Sequence, residues 1–300
     1  MKNKFNNYSV LLILIITFIL VFTYPKEITY SVLYSINLWK NNIVPTTFTL
    51  FVISDLLIEY GLLNLINKIL NNKVNGNIIT IFMLSLLSGF PSSAKYTKKF
   101  LEEDKITIEE ANYIIMFCNF SNPLFIISTI GINYLNNVKY GYIILISHII
   151  SNIIIGIYYK RKITKRKIIT KKQESNKKEF ITILTSSIND TFKILINILG
   201  IITVFMIISL LIEKVLKKNI ITIIIKSVLE MTQGTLLISK SNIYYKLKVS
   251  LIGALISFNG ISIHMQIKSI LDNTKIKYSN YLKGRIIQSI ICFILIYIFI

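Results

Sequence analysis

Two stretches of this chain set amides, hydroxyls and helix breakers inside otherwise apolar sequence. In the first, Asn119, Ser121 and Asn122 lead into Pro123; in the second, Ser257, Asn259, Gly260, Ser262, His264 and Gln266 fall within ten residues. Such groups hydrogen-bond a small solute rather than cleave one. Their flanks are apolar enough to sit in lipid, where irregular backbone survives only if protein buries it or it lines a polar cavity. The chemistry they support is recognition and passage of a solute, helped by half-helix N-termini that carry about half a positive charge. The plainer alternative for each is a kink whose polar residues pack against neighbouring helices.

The elements that must position these residues can be read from caps and breakers. Thr107 and Glu110 form a capping box, which predicts a helix from there to about Phe117. Eleven such residues rise about 16 Å, half of a hydrocarbon core about 30 Å thick, so Asn119 to Pro123 falls near the midplane. Asn122 suits an N-cap and Pro123 the first helical position, so a second half-helix is predicted to about Leu135. The other interruption ends an apolar helix that begins near Tyr245.

A short apolar run precedes each interruption. Asn77 to Phe90 ends in Ser88-Gly89-Phe90-Pro91-Ser92-Ser93-Ala94-Lys95, and the run from Ile220 ends in Leu229-Glu230-Met231-Thr232-Gln233-Gly234. Short apolar stretches interrupted in this way read as re-entrant hairpins. Their tips add Ser92, Ser93, Lys95, Thr232 and Gln233 to the candidate substrate-binding residues. Lys95 could meet an anion or snorkel to the interface. His264 could bind a carboxylate, sense pH or satisfy an internal hydrogen bond.

Composition excludes most other classes. The 300 residues are 53% hydrophobic, with a mean hydropathy of +0.61, which predicts an all-α polytopic membrane protein. A net charge of +20 would suggest nucleic acid in a soluble chain, but here the bases gather in short loops, as positive-inside topology requires. Cys118 and Cys292 lie in apolar segments and offer neither a disulfide framework nor a metal site. Ser92 and Lys95 match Ser-x-x-Lys, yet the Ser-Asp-Asn and Lys-Thr-Gly elements of serine acylases are missing. No metal cluster or phosphate-binding glycine loop appears, so neither an enzyme nor a cofactor is expected.

The order of segments predicts two structural repeats with re-entrant hairpins and broken transmembrane helices. Residues 1–27 read as an N-terminal transmembrane helix, retained because no small-residue cleavage site follows Val10 to Phe22. Ile28 to Trp39 suits a helix lying at the interface, before a span from Ile43 to Tyr60. Asp55 in that span is either a coupling carboxylate or a helix-end group facing water; nearby Glu59 and Gly61 favour the second reading. After a full span from Val138 to Tyr158, Lys160 to Lys178 carries ten basic residues against Glu174, which predicts a cytoplasmic linker over residues 159–179. With the N-terminus also cytoplasmic, the number of crossings between them must be even, as it is if Asn77 to Phe90 re-enters. Residues 28–158 and 180–300 then correspond: Asp55-Leu56-Leu57-Ile58-Glu59 is echoed by Ser209-Leu210-Leu211-Ile212-Glu213, and Tyr281 to Ile300 closes the second half.

On the Ser88-Gly89-Phe90-Pro91 segment with Lys95, the Asn122-Pro123 break, Glu230-Met231-Thr232-Gln233-Gly234 and Ser257-Phe258-Asn259-Gly260 with Ser262, His264 and Gln266, the chain resembles the sporulation integral membrane protein YlbJ family. The resemblance covers nearly the whole chain and implies a nucleoside-recognition or gate domain similar to concentrative nucleoside transporters. It further implies movement of dipicolinic acid, a small aromatic dicarboxylate, from mother cell toward forespore across the outer forespore membrane. The partners then expected are that anion and membrane lipid, with homo-oligomerisation, coupling ion and direction of flux left open. The rival readings are a nucleoside carrier and a structural or assembly protein of the spore envelope.

Overall fold

A computed structural model describes residues 2–69, 75–160, 179–217 and 219–300, apart from the side chains of 2–7, 9, 10, 13 and 46. Most of the basic linker, 161–178, lies outside them. Every regular element is helical: α1 (Lys2–Thr23), α2 (Pro25–Leu38), α3 (Val44–Glu59), α4 (Leu62–Ile69), α5 (Gly76–Ser88), α6 (Ser92–Glu102) and α7 (Ile108–Phe117) precede a π-helix (Phe125–Tyr134). Then come α8 (Val138–Lys160), α9 (Phe180–Leu216), α10 (Ile220–Leu229), α11 (Met231–Ser239), α12 (Tyr245–Phe258), α13 (Gly260–Leu271) and α14 (Tyr278–Phe299).

Four of these units are long and apolar enough to cross a membrane: α8, α9, α12 continued by α13, and α14. Their outward faces carry large apolar side chains such as Ile146, Ile154, Ile196, Ile290 and Ile294, which in water would be an aggregation surface and in lipid is solvated. The chain is an integral membrane protein. The helix placed at the interface on sequence grounds is longer than expected, because α2 continues through a π turn (Trp39–Ile43) into α3, and the bent pair is together long enough for one span. Trp39 does not anchor at a surface: its indole Nε1 donates to the Leu195 carbonyl of α9 (2.8 Å).

The helices pack into two bodies. The larger core joins both short hairpins, α7, α8, α12, α13 and α14 through residues such as Phe100, Ile114, Ile126, Ile144, Ile256 and Tyr281. The smaller centres on Leu195, Ile198, Ile202 and Met206 of α9, covered by Tyr34, Leu38, Trp39 and Phe48. The first hairpin turns at Gly89 to Pro91 between α5 and α6, the second at Glu230 between α10 and α11. Both interruptions are present but differ in length. Helix stops at Phe117 and resumes at Pro123, whereas α12 and α13 are separated by Asn259 alone, in the left-handed region at φ 82°. Ser262 to Gln266 lie in the first turns of α13, the half-helix that follows Asn259.

Candidate functional site

Local sequence explains how each interruption is built. Thr107 accepts the Glu110 N–H (3.2 Å) while the Glu110 carboxylate accepts the Thr107 N–H (2.9 Å), so α7 begins at its capping box. At the far side of the break, Asn122 Oδ1 accepts the Leu124 N–H (2.8 Å), the N-cap role its position predicts.

Each hairpin tip abuts one interruption through a glycine. Gly89 adopts φ 74°, and a Cβ there would lie 2.7 Å from the Asn122 nitrogen, so only glycine permits both the turn and the approach. Gly260, at φ 67°, meets Met231 in the same way, with a Cβ placed 3.0 Å from its nitrogen.

Between these tips, the interruptions and the α2–α3–α9 body lies a cavity of about 240 Å³. Ser88 and Phe90 come from the first tip, Ser121 and Asn122 from the first break, Glu230, Met231 and Thr232 from the second tip, and Ile263 and Gln266 from α13. Leu38, Ile43, Ile198 and Ile202 form much of the opposite, apolar wall. Three buried polar atoms of lining residues have no hydrogen-bond partner among the described residues: Ser88 Oγ, Ser121 Oγ and Asn122 Nδ2.

A second polar layer holds the breaks from behind. Arg285 of α14 is fully buried and donates through Nη2 to the Met116 carbonyl (2.8 Å) and through Nη1 to the Asn119 carbonyl (3.1 Å), with further bonds to Asn152 and Gln288. The guanidinium thus pairs carbonyls that the end of α7 releases, at the negative end of a helix dipole. Asn152 Nδ2 also donates to the Asn119 carbonyl (2.8 Å). His148 joins the two interruptions: its Nε2 accepts the Ser121 N–H (3.1 Å), so Nδ1 carries the proton and donates to Ser257 Oγ (2.9 Å) at the end of α12. Gly284 lets α14 come this close, since a Cβ there would stand 2.1 Å from the Met116 carbonyl oxygen.

Of the residues singled out from sequence, Ser121, Asn122, Thr232 and Gln266 line the cavity. The others do not line it, and all but the partly exposed Lys95 and Gln233 are buried. Ser93 donates to Asn119 Oδ1 (3.1 Å), tying hairpin to break, and Ser257 belongs to the His148 bridge. Asn259 donates to the Tyr281 hydroxyl (2.9 Å). His264 accepts from the Tyr278 hydroxyl (2.7 Å) and donates to the Phe258 carbonyl freed at the second break (2.8 Å), the internal hydrogen bond that was one of its readings. Ser262 is buried beside Glu230. Gln233 accepts from Ser209 (2.5 Å). Ser92 bonds the Gly89 carbonyl and Lys95 pairs with Asp55 (2.7 Å), so these two residues form no Ser–Lys dyad. The Lys95 and Asp55 side chains are 9% and 8% exposed, with Ser187 also donating to Asp55 (2.9 Å), and Asp55 lines a polar pocket with Glu59, Lys99 and Asp190.

Sequence reasoning missed Arg285, Gln288, His148, Asn152 and Glu230 as site residues. The signal was there: ionisable and amide groups three or four residues apart in spans otherwise rich in isoleucine form one polar face. Among the described residues no group of His, Cys, Asp and Glu is arranged to hold a metal ion, and both cysteines are free and buried.

The chain is similar to the sporulation integral membrane protein YlbJ of Bacillus subtilis (strain 168). The two are 22% identical over 298 aligned residues, which cover 85% of this chain and 73% of that protein. No family model and no solved structure matches the chain.

Proposed function

We propose that the chain is a carrier of a small carboxylate-bearing aromatic solute, and that the cavity between the hairpin tips is where the solute rests. One observation carries the reading: a cavity lined by both hairpin tips, the first interruption and α13 counts among its lining residues Ser88, Ser121 and Asn122, each with a buried polar atom that has no partner among the described residues. Two hydroxyls and an amide N–H suit a carboxylate, and Phe90, Phe125, Ile198 and Ile202 offer an apolar bed for a ring. At about 240 Å³ the cavity admits a single-ring solute. Dipicolinate, carried across the outer forespore membrane from mother cell toward forespore, is the substrate and setting that the resemblance to YlbJ supports.

On this reading the halves 28–158 and 180–300 are two gate-type repeats, each giving one hairpin tip and one interruption to the same cavity. The span-to-hairpin bonds Asp55–Lys95 and Ser209–Gln233 occupy corresponding places, which favours the pairing of segments seen in the sequence echo.

A neutral, hydroxyl-bearing solute such as a nucleoside is the second reading, favoured by Glu230, whose carboxylate lines the cavity and would accept from ribose hydroxyls. Uptake into vesicles containing the purified protein separates the two. Saturable uptake of dipicolinate over uridine is expected, lowered roughly tenfold or more by Asn122→Ala with Gln266→Ala, the loss of two hydrogen bonds at about 1 kcal/mol each. Equal background flux of both solutes ends the carrier reading, and saturable uridine flux alone replaces the substrate.

A further inference from the structure

Glu230 is the one charged side chain among the described residues that line the cavity. It is buried to 2% exposure at the turn between α10 and α11. Its Oε2 accepts the Gln233 N–H (2.8 Å) and the Thr232 hydroxyl, so the carboxylate caps α11 and sits at the positive end of that helix. The chain supplies an anion of its own where a substrate carboxylate would be received.

Among the described residues no base balances it. Lys226, one turn earlier, gives its carbonyl to the Glu230 N–H (3.0 Å), while its ammonium is paired with Glu213. Arg285 is spent on Met116, Asn119, Asn152 and Gln288. From the surrounding elements, the titratable groups that feel the carboxylate are Tyr34 of α2 and Tyr134 of the π-helix. From α9 come Ile198 and Ile202, and from α13 Ser262, Ile263 and Gln266, none of which ionises in the working range. A carboxylate solute entering this space would meet a like charge at short range in low dielectric, with no cation between them.

We infer that the cavity takes its carboxylate substrate together with one proton, and that Glu230 is the group that holds this proton while the substrate is bound. The step is a protonation only: the carboxylate becomes a carboxylic acid. The acid's carbonyl oxygen still accepts the Gln233 N–H, while the positive end of α11 is freed for the substrate's negative charge. The carrier would therefore be proton-coupled through its second hairpin. This rests on the proposed function above.

The test uses the full chain. In lightly buffered detergent solution with a pH indicator, dipicolinate binding should remove about one proton per protein from the medium in the wild type and none in Glu230→Gln. In proteoliposomes with the membrane potential clamped, an alkaline interior one pH unit above the outside should raise wild-type accumulation by up to about tenfold. Glu230→Gln should lose that dependence and Glu230→Asp should keep it. Binding without proton uptake by the wild type overturns the inference and leaves the carrier reading standing, as does a Gln variant that still follows the gradient. Absence of dipicolinate binding by the wild type overturns both. The indicator measurement on wild-type protein decides the matter even where a variant does not fold.

Discussion

The two interruptions solve one problem at different scales. Between Phe117 and Pro123 five residues leave the helix, and side chains of α8 and α14 meet the backbone groups released there: Arg285 and Asn152 donate to the Met116 and Asn119 carbonyls, and the His148 imidazole accepts the Ser121 N–H. At Asn259 one residue leaves it, and neutral partners suffice: His264 for the Phe258 carbonyl and Tyr281 for the Asn259 amide. The partners supplied scale with the backbone groups set free, as pairing in a medium without water demands. The hairpins do not share this asymmetry: each is tied to its span by an ion pair, Lys95–Asp55 in the first and Lys226–Glu213 in the second, the latter with Gln233–Ser209 beside it.

The strongest way to break this comparison is Arg285→Met, which keeps the bulk and strands the Met116 and Asn119 carbonyls. A loss of about 3–5 kcal/mol is expected, read as an early loss of monodisperse protein in detergent on heating. Should Arg285→Met match wild type, the guanidinium would not be what holds the longer break.

Next in size is the ion pair. Asp55→Asn leaves a buried ammonium without its counter-charge and should cost about 3 kcal/mol, while Asp55→Leu with Lys95→Met should recover most of it. Thermal melts of the single and double variants measure the difference, and equal losses would show that the charges are not coupled.

Asn259→Ala removes one hydrogen bond and places alanine at a positive φ, together about 2 kcal/mol. Asn259→Gly should lose less, because it keeps the backbone at ease. Smallest is Ser209→Ala, about 1 kcal/mol or below for a neutral hydrogen bond at the second hairpin. If its melt shifted as far as that of Asp55→Asn, this neutral bond would hold its hairpin as firmly as an ion pair does.

Much of this was legible in residue order. The capping box at Thr107, the Asn122–Pro123 restart, both hairpin turns and the break at Asn259 all depend on side chains within a few residues, and the structure places each where those caps and breakers predict. The partners were hidden because their meaning lies in tertiary contact. Arg285 stands seven residues into α14, where a base reads as a membrane boundary, and only the approach at Gly284 brings it under α7. Asp55 and Lys95 are forty residues apart, so neither announces the other. Glu230 was visible within its motif but reads as a hairpin polar residue until the cavity gives it a face.

The length of α9 has one more consequence. Its 37 residues extend about 55 Å, and lodging that within a hydrocarbon layer about 30 Å thick would need a tilt steeper than membrane helices adopt. The uncharged run from Ile194 to Ile212 alone matches the layer, so the stretch from Phe180 to Lys193 stands beyond it as a foot. Ser187 on that foot reaches Asp55, about 9 Å past Lys193 along the helix. The Lys95–Asp55 pair thus sits at headgroup depth, beside a polar pocket of about 170 Å³ that the overshooting helix walls with Thr182, Ser186, Ser187 and Asp190.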